Sequence, residues 1–370
     1  AMSGLAALSG DPDGQPLRPP IALTDEVTGL AAAIATLVAV HSGVGQVVDT
    51  NLLETMFQRM GPLASLYGVT GEQQPRLGAG LPYTVPRGTY RCSDDRWVAV
   101  STSSDSVAVR VMEVLGVDRD DRFASFEGRV THRLELERIM TEWCSQRTQD
   151  EVLDAFTAAE AAIGPVYDMA DIAADPHDAA RGAIESVDAN LLETMFQMMG
   201  PLASLYAVTG EQQPRLGAGL PYTVPRGTYR CSDGRWVAVS TSSDTVAVRV
   251  LEVLGVDGDD RFTSFEGRVT HRLELEHIMT DWCSRRTQRE VLDSFTAAEA
   301  AIGPVYDMAD IATDAHYAAR GAIESVDGTP MQGVVARLSA TPGSLRWAGR
   351  PLDAFGEEIR YSGWSLSPNP

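Results

Sequence analysis

The chain has 370 residues, 44% of them hydrophobic and 22% charged, an ordinary globular composition with enough apolar material for a sizeable core. Its formal net charge of −21 repels phosphate backbones and anionic lipid heads, which argues against nucleic acid or a membrane surface as partner. Four cysteines, none in a C-x-x-C pair, fit reduced thiols, so a cytoplasmic location is expected.

Residues 1–23 are rich in Pro and Gly (GDPDGQPLRPP) and read as loop. The opening AMSGLAALSG lacks the form of a natural start, so a segment upstream is expected. Thr24 is placed to cap a helix running to about residue 41, with Asp25 and Glu26 at its positive end. The most apolar stretch, 29–40, is shorter than the ~18 residues a membrane span needs and reads as a buried helix. A short strand is expected over 46–49. Asn51 and Glu54 then fit the cap of an apolar helix through about residue 67. Two strands, 89–92 and 97–102, flank a tight turn, as in a hairpin. Helices follow over 104–115, 131–146 and 148–159, the last opened by a capping box of Thr148 and Glu151. Residues 163–167 read as extended and 169–174 as a short helix. The tail, past a strand over 333–338, is mostly loop.

The dominant feature is a repeat. Residues 48–186 match 187–325 without a gap at an offset of 139, with about 16 differences. A period this long marks a repeated domain and not a solenoid. Most differences exchange polar or charged side chains, as at Arg59/Met198, Asp95/Gly234 and Asp178/Tyr317. The apolar exchange Met112/Leu251 keeps volume, so both copies are expected to pack one core design. The cysteines are two positions counted twice: Cys92 and Cys144, Cys231 and Cys283.

The order of segments identifies a resemblance. PDGQPLRPPIALTDEVTGLAAAIATLVAV, GQVVDTNLLETMF, PRGTYRCSDDRWVAVSTSS, RTQDEVLDAF, AIGPVYDMADIAADPH and RWAGRPL occur in the sequence of family III CoA-transferases. That group includes formyl-CoA transferase, carnitine-related CoA-transferases and, more distantly, alpha-methylacyl-CoA racemase. The resemblance covers nearly the whole chain, with the second copy as an extra insert. It implies a mixed α/β (α+β) fold in which a remnant of the large domain is joined to two copies of the small domain. The corresponding division is 1–47, large-domain remnant with the candidate nucleophile; 48–186 and 187–325, linker helix and small domain twice; 326–370, return to the large domain.

In such enzymes an aspartate at a helix start after a Pro-rich loop is the nucleophile, and Asp25 occupies that position. A carboxylate, with a free pKa of ~3.9, is ionised at neutral pH and attacks a thioester without a general base. The resemblance also implies a mobile Gly-rich loop over the site. Gly78 and Gly80 match it, as do Gly217 and Gly219 in the second copy. Arg76 and Arg87 are candidate contacts for CoA phosphates, and Arg91 is a third. The implied substrates are an acyl-CoA thioester and a carboxylic acid, with no permanently bound cofactor and no metal. The implied assembly is a homodimer, or a partner chain supplying the missing half. Two other readings stay open: a non-catalytic binding module, because half of the expected large domain is missing, and the racemase branch. Taken alone, Asp25 is an acid suited to a helix start, the glycines are loop, and His132 and His177 are surface residues.

Overall fold

The computed structural model describes residues 2–171 except 20, 83, 103 and 169; residue 199; residues 202–354 except 211–215, 221–222, 242 and 352; and residues 357 and 360. The chain divides into two compact units: 1–26 with 74–307, and 27–73 with 308–370.

The first unit holds one small architecture twice. Strands β2 (Arg87–Arg91) and β3 (Trp97–Ser101) form an antiparallel hairpin, and β4 (Ile163–Pro165) adds to β3. At the same offset β5 (Arg226–Arg230), β6 (Trp236–Ser240) and β7 (Ile302–Pro304) repeat the order and register. Alternation sends Tyr90, Val98 and Val100 to one face of the first sheet. There the helices Asp105–Leu115, Arg133–Ser145 and Gln149–Ala158 close the core through Val111, Leu136, Met140 and Phe156. Met112 and Leu251 are both buried, at 3% and 2% exposure, so one core design does accept either side chain.

Caps set the helix starts. Ser104 accepts from the Val107 amide, and Thr148 and Glu151 form the reciprocal capping box that their spacing predicts. The helix expected over 131–146 is Arg133–Ser145; a further short helix, Phe126–Thr131, precedes it, and the two meet at His132, whose backbone leaves helical geometry. The short helix expected over 169–174 falls largely outside the described residues. So do His177 and Asp178. At the matching place in the second copy, Met308–Thr313 is helical.

One buried cation ties each small architecture together. Arg129 is 2% exposed; its guanidinium donates to the carbonyls of Val85 and Phe123, both at 3.2 Å, and pairs with Asp105. Arg268 makes the same set with Val224, Phe262 and Asp244.

The second unit combines the start of the first copy with the end of the second. Its helices include Leu52–Gln58, Leu63–Thr70, Met308–Thr313 and Ala315–Arg320. Strand β1 (Val48–Asp49) pairs with β10 (Arg337–Leu338), and β8 (Ile323–Val326) pairs with β9 (Thr329–Gln332). The single helix expected through residue 67 is broken, because Gly61 at φ 58° and Pro62 end one helix and start the next. The hairpin β8–β9 turns on Asp327 and Gly328, at φ 51° and 80°. This Asp-Gly signal between two short runs went unread in the tail. Glu54, 4% exposed, meets Arg320 at 2.5 Å and Arg337 at 3.4 Å, and Arg320 reaches Asp49 at 2.8 Å.

The helix Leu23–Ser42 overturns two expectations. Its apolar residues are not buried: Leu37 is 69% exposed and Val40 is 73% exposed, since only Val27 and Ala35 turn toward a core. Counting the alanines, its 20 residues are also long and apolar enough to cross a membrane, by length and composition alone.

Two differences between the copies fall where the second unit packs. A Cβ on Gly68 would lie 2.6 Å from Pro330 Cγ, so the glycine admits β9 against the helix. Tyr317, where the first copy has Asp178, is 1% exposed and meets Phe57 edge-on at 5.1 Å. Gly68→Ala, the residue that the second copy carries at 207, is therefore expected to cost about 1–3 kcal/mol through overpacking. A lowered urea midpoint for the unfolding of this unit checks it.

Candidate functional site

A cavity of about 660 Å³ opens on the first copy's sheet, on the face away from the core. That volume lies within the ~300–1,000 Å³ range of small-ligand sites. One wall is the loop Leu77–Gly80; the floor is Gly88, Thr89 and Trp97; the far side is Arg133 and Glu137 from one helix. Asp11 and Pro12 of the N-terminal segment complete the rim.

The glycines are there for steric reasons. Gly78 has φ 61°, in the left-handed region, and its amide donates to the Gly10 carbonyl at 3.0 Å. A Cβ on Gly80 would stand 2.9 Å from the Leu77 carbonyl oxygen and 3.2 Å from that of Arg87. Arg133 Nη2 donates to the Leu81 carbonyl at 2.8 Å and to that of Pro82 at 3.3 Å, which anchors the loop's end to the helix.

The charged groups have defined partners. Arg87 Nη1 donates to Ser101 Oγ at 2.9 Å while the guanidinium borders the cavity. Tyr90, 3% exposed, donates to Glu137 Oε2 at 2.8 Å. Burial raises the Glu137 carboxyl above its ordinary range, outweighing the Tyr90 hydrogen bond and the Arg133 charge. Burial also lowers the Arg133 guanidinium. Behind the sheet Cys144 is pushed up to about 12 by burial, and Cys92 is raised for the same reason, so neither thiol is a nucleophile. Among the described residues, no group of three or more His, Cys, Asp or Glu side chains is placed to hold a metal ion.

Of the residues singled out in the sequence, Gly78, Gly80 and Arg87 come together at this cavity. Arg76 lies beside it, where Nε donates to the Asp11 carbonyl at 3.2 Å and Nη2 to that of Gly14 at 2.9 Å. Its partners are backbone oxygens of its own chain. Arg91 is on an exposed edge and pairs with Asp95 at 2.8 Å. Asp25 is exposed in the first turn of Leu23–Ser42 and is not part of this lining. Gly217 and Gly219 form the equivalent loop of the second copy, where Gln15 and Leu17 approach Gly217. Arg133, Glu137 and Tyr90 were not singled out. Their signal was an Arg and a Glu four residues apart on one helix face, in a run crowded with other charges.

The second unit has an apolar cavity of about 360 Å³ bordered by Tyr67, Ile311, Tyr317 and Pro330.

Comparison with known proteins agrees with the order of segments. The family described as CoA-transferase family III matches residues 1–190 and again 185–354. The succinyl-CoA–D-citramalate CoA-transferase of Chloroflexus aurantiacus is 31% identical over 212 residues, 55% of this chain and 53% of that protein. The alpha subunit of succinyl-CoA–L-malate CoA-transferase from the same organism is 32% identical over 197 residues, 51% of this chain and 46% of the subunit. The human succinyl-CoA:glutarate CoA-transferase is 25% identical over 195 residues, 51% of this chain and 44% of that protein. A solved CAIB/BAIF family protein from Brucella suis is 29% identical with a TM-score of 0.40, covering 49% of this chain and 50% of the other. The chain thus spans about half the length of the curated relatives it matches.

The raised Glu137 carboxyl sets a pH dependence. An acid whose folded pKa is raised contributes stability present below its unfolded pKa, and that contribution is lost as pH rises through the folded pKa. Glu137→Gln keeps an acceptor for Tyr90 and cannot ionise. Its stability relative to wild type is expected to increase as pH is raised from about 4.5. Paired urea midpoints at pH 4.5, 6 and 7.5 read the difference, and equal offsets at all three would contradict it.

Proposed function

The chain belongs to CoA-transferase family III, and from that premise we propose that it moves CoA between an acyl-CoA thioester and a carboxylic acid. The observation that supports this best is the meeting of the glycine loop, Gly78 and Gly80, with Arg87 at one open cavity. Glycine at these positions lets backbone amides come close to an acyl group, and a guanidinium beside them suits an anionic substrate. The named relatives act with succinyl-CoA and with citramalate, malate or glutarate. A dicarboxylic donor and acceptor are therefore proposed here, with Arg87 pairing the carboxylate remote from the thioester.

In the proposed chemistry the Asp25 carboxylate attacks the thioester carbonyl and expels CoA thiolate, leaving an aspartyl–acyl anhydride. The thiolate attacks the aspartyl carbonyl of the anhydride, which releases the first acid and forms an aspartyl-CoA thioester. The acceptor carboxylate attacks that thioester, forming a new anhydride and freeing CoA thiolate. Attack of the thiolate on the acceptor's acyl carbonyl yields the new CoA thioester and restores Asp25. No proton or outside oxidant is needed at any step. Some relatives are named as alpha and beta subunits, which supports a second chain, or a second copy, as the source of the remaining CoA contacts.

A second reading, a binding module without turnover, draws support from the exposed position of Asp25 outside the described cavity. The two separate cleanly. Incubation with succinyl-CoA, proteolysis and mass measurement should reveal CoA on the Asp25 peptide, and Asp25→Ala should lack it. Arg87→Ala is expected to raise KM for the dicarboxylic donor roughly ten- to a hundredfold, the ~1.5–3 kcal/mol of a charged hydrogen bond. A wild-type chain that binds CoA by calorimetry but forms no adduct, alone or with a partner subunit, establishes the binding module.

A further inference from the structure

The two copies have the same side chains on the outer face of their sheets but not the same surroundings. Thr228 is 4% exposed, Ala238 5% and Val305 8%. Their counterparts Thr89 and Ala99 are exposed, and Val166 is 38% exposed. The cover on the second copy is a strap formed by the chain's own residues up to Arg18. Thr228 Oγ1 donates to the Pro16 carbonyl at 2.5 Å, and Arg18 Nη2 donates to the Val239 carbonyl at 2.9 Å. Ala6 packs with Ala238 and Val305, while Gln15 and Leu17 lie over Gly217.

The covered face repeats the frame of the candidate site. Its loop 216–219, Arg226 and the helix pair Arg272 and Glu276 stand where loop 77–80, Arg87, Arg133 and Glu137 stand in the first copy. The bonds match too: Arg226 Nη1 donates to Ser240 Oγ at 3.3 Å, Arg272 Nη2 to the Leu220 carbonyl at 2.7 Å, and Tyr229 to Glu276 Oε2 at 2.8 Å. The strap fits this frame imperfectly at one point. It brings the Arg18 guanidinium within electrostatic reach of Arg226, and burial together with that like charge pulls Arg18 down to about 10. Arg18 Nε is buried and meets no hydrogen-bond partner among the described residues. A carboxylate in the place of Arg18 would relieve both defects, since it gives Arg226 an opposite charge and a charge-assisted hydrogen bond.

We propose that the second copy carries a further carboxylate-binding site, built on Arg226 and the loop 216–219, and that residues 15–18 occupy it as a built-in competitor. The class of ligand rests on the reading that Arg87 and its glycine loop hold a substrate carboxylate in the first copy. A tethered segment competes at an effective concentration in the millimolar range, so the acid must be supplied at that level to displace it. The probe is succinate, without CoA.

In the seated strap the amides of Leu8, Ser9 and Leu17 donate to the carbonyls of Gly4, Leu5 and Ser9. Their deuterium exchange in the full chain, read by mass spectrometry, should run at least about fivefold faster in saturating succinate than in sodium chloride of equal ionic strength. By calorimetry the wild type should take one succinate per chain, lost in Arg87→Ala. Ala6→Asp/Arg18→Ala sets a charge against Ala238 and removes the bond to Val239, and should take two. Adding Arg226→Ala should return it to one. Neither Ala6 nor Arg18 borders the first cavity. Unchanged exchange, a single succinate in the strap variant, or a second one that survives Arg226→Ala overturns this inference and leaves the first-copy reading standing. An Arg226-dependent site without an Arg87-dependent one sinks only the first-copy reading, and no binding at either copy overturns both. The exchange measurement needs no variant, so it decides the matter even where the strap variant fails to fold.

Discussion

Both small architectures depend on an arginine that has no business in a core unless it is fully partnered. Arg129 sits among apolar side chains, and its guanidinium joins three pieces far apart in sequence: the stretch before β2, the turn at Phe123 and the first turn of Asp105–Leu115. Removing such a group from water costs several kcal/mol, which the hydrogen bonds and the carboxylate must offset together. The cost makes the arrangement selective. A chain trace that misplaces the Val85 carbonyl leaves a buried cation short of an acceptor. Because Val85 directly precedes the stretch that leads into Arg87, the same cation fixes where the cavity floor begins. Arg268 performs the same function at the second copy.

Much of this was legible from local chemistry. Caps such as Thr148–Glu151 and alternation such as Tyr90, Val98 and Val100 are decided within a few residues, so their elements followed from the sequence. The break at Gly61-Pro62 was missed because an apolar pattern can run across a stop signal. The exposure of Leu23–Ser42 was illegible for a different reason: apolar periodicity says which face seeks cover, not whether cover is present. At the candidate site, the glycines and Arg87 were readable through resemblance. The Tyr90–Glu137–Arg133 set was not, since two half-buried charges look like surface charges until their helix is placed against a sheet.

The repeat shows how little of an environment a sequence carries. Thr89 and Thr228 have identical neighbours for twenty residues before and five after, yet one is exposed and the other buried. What differs is a segment some two hundred positions away from one and seventy-odd from the other. The 16 exchanges show the converse. Gly68 and Tyr317 are the versions that fit β9 and Phe57, each drawn from a different copy. The second unit is therefore built from the front of one repeat and the back of the next.

Sequence identity between β2 and β5, and between β3 and β6, also has a price during folding. Each hairpin pairs Arg with Ser at one end and Arg with Trp at the other, so β2 would meet β6 in the same register as β3. Side-chain pairing offers nothing to tell the correct partner from the wrong one. Only proximity along the chain does: a hairpin closes over a few residues, a crossed pair over more than a hundred, and loop-closure entropy favours the former. During refolding from denaturant, hairpin closure must outrun encounter with the other repeat. Hybrids that lose that race are swapped topologies whose individual strands are locally indistinguishable from native ones.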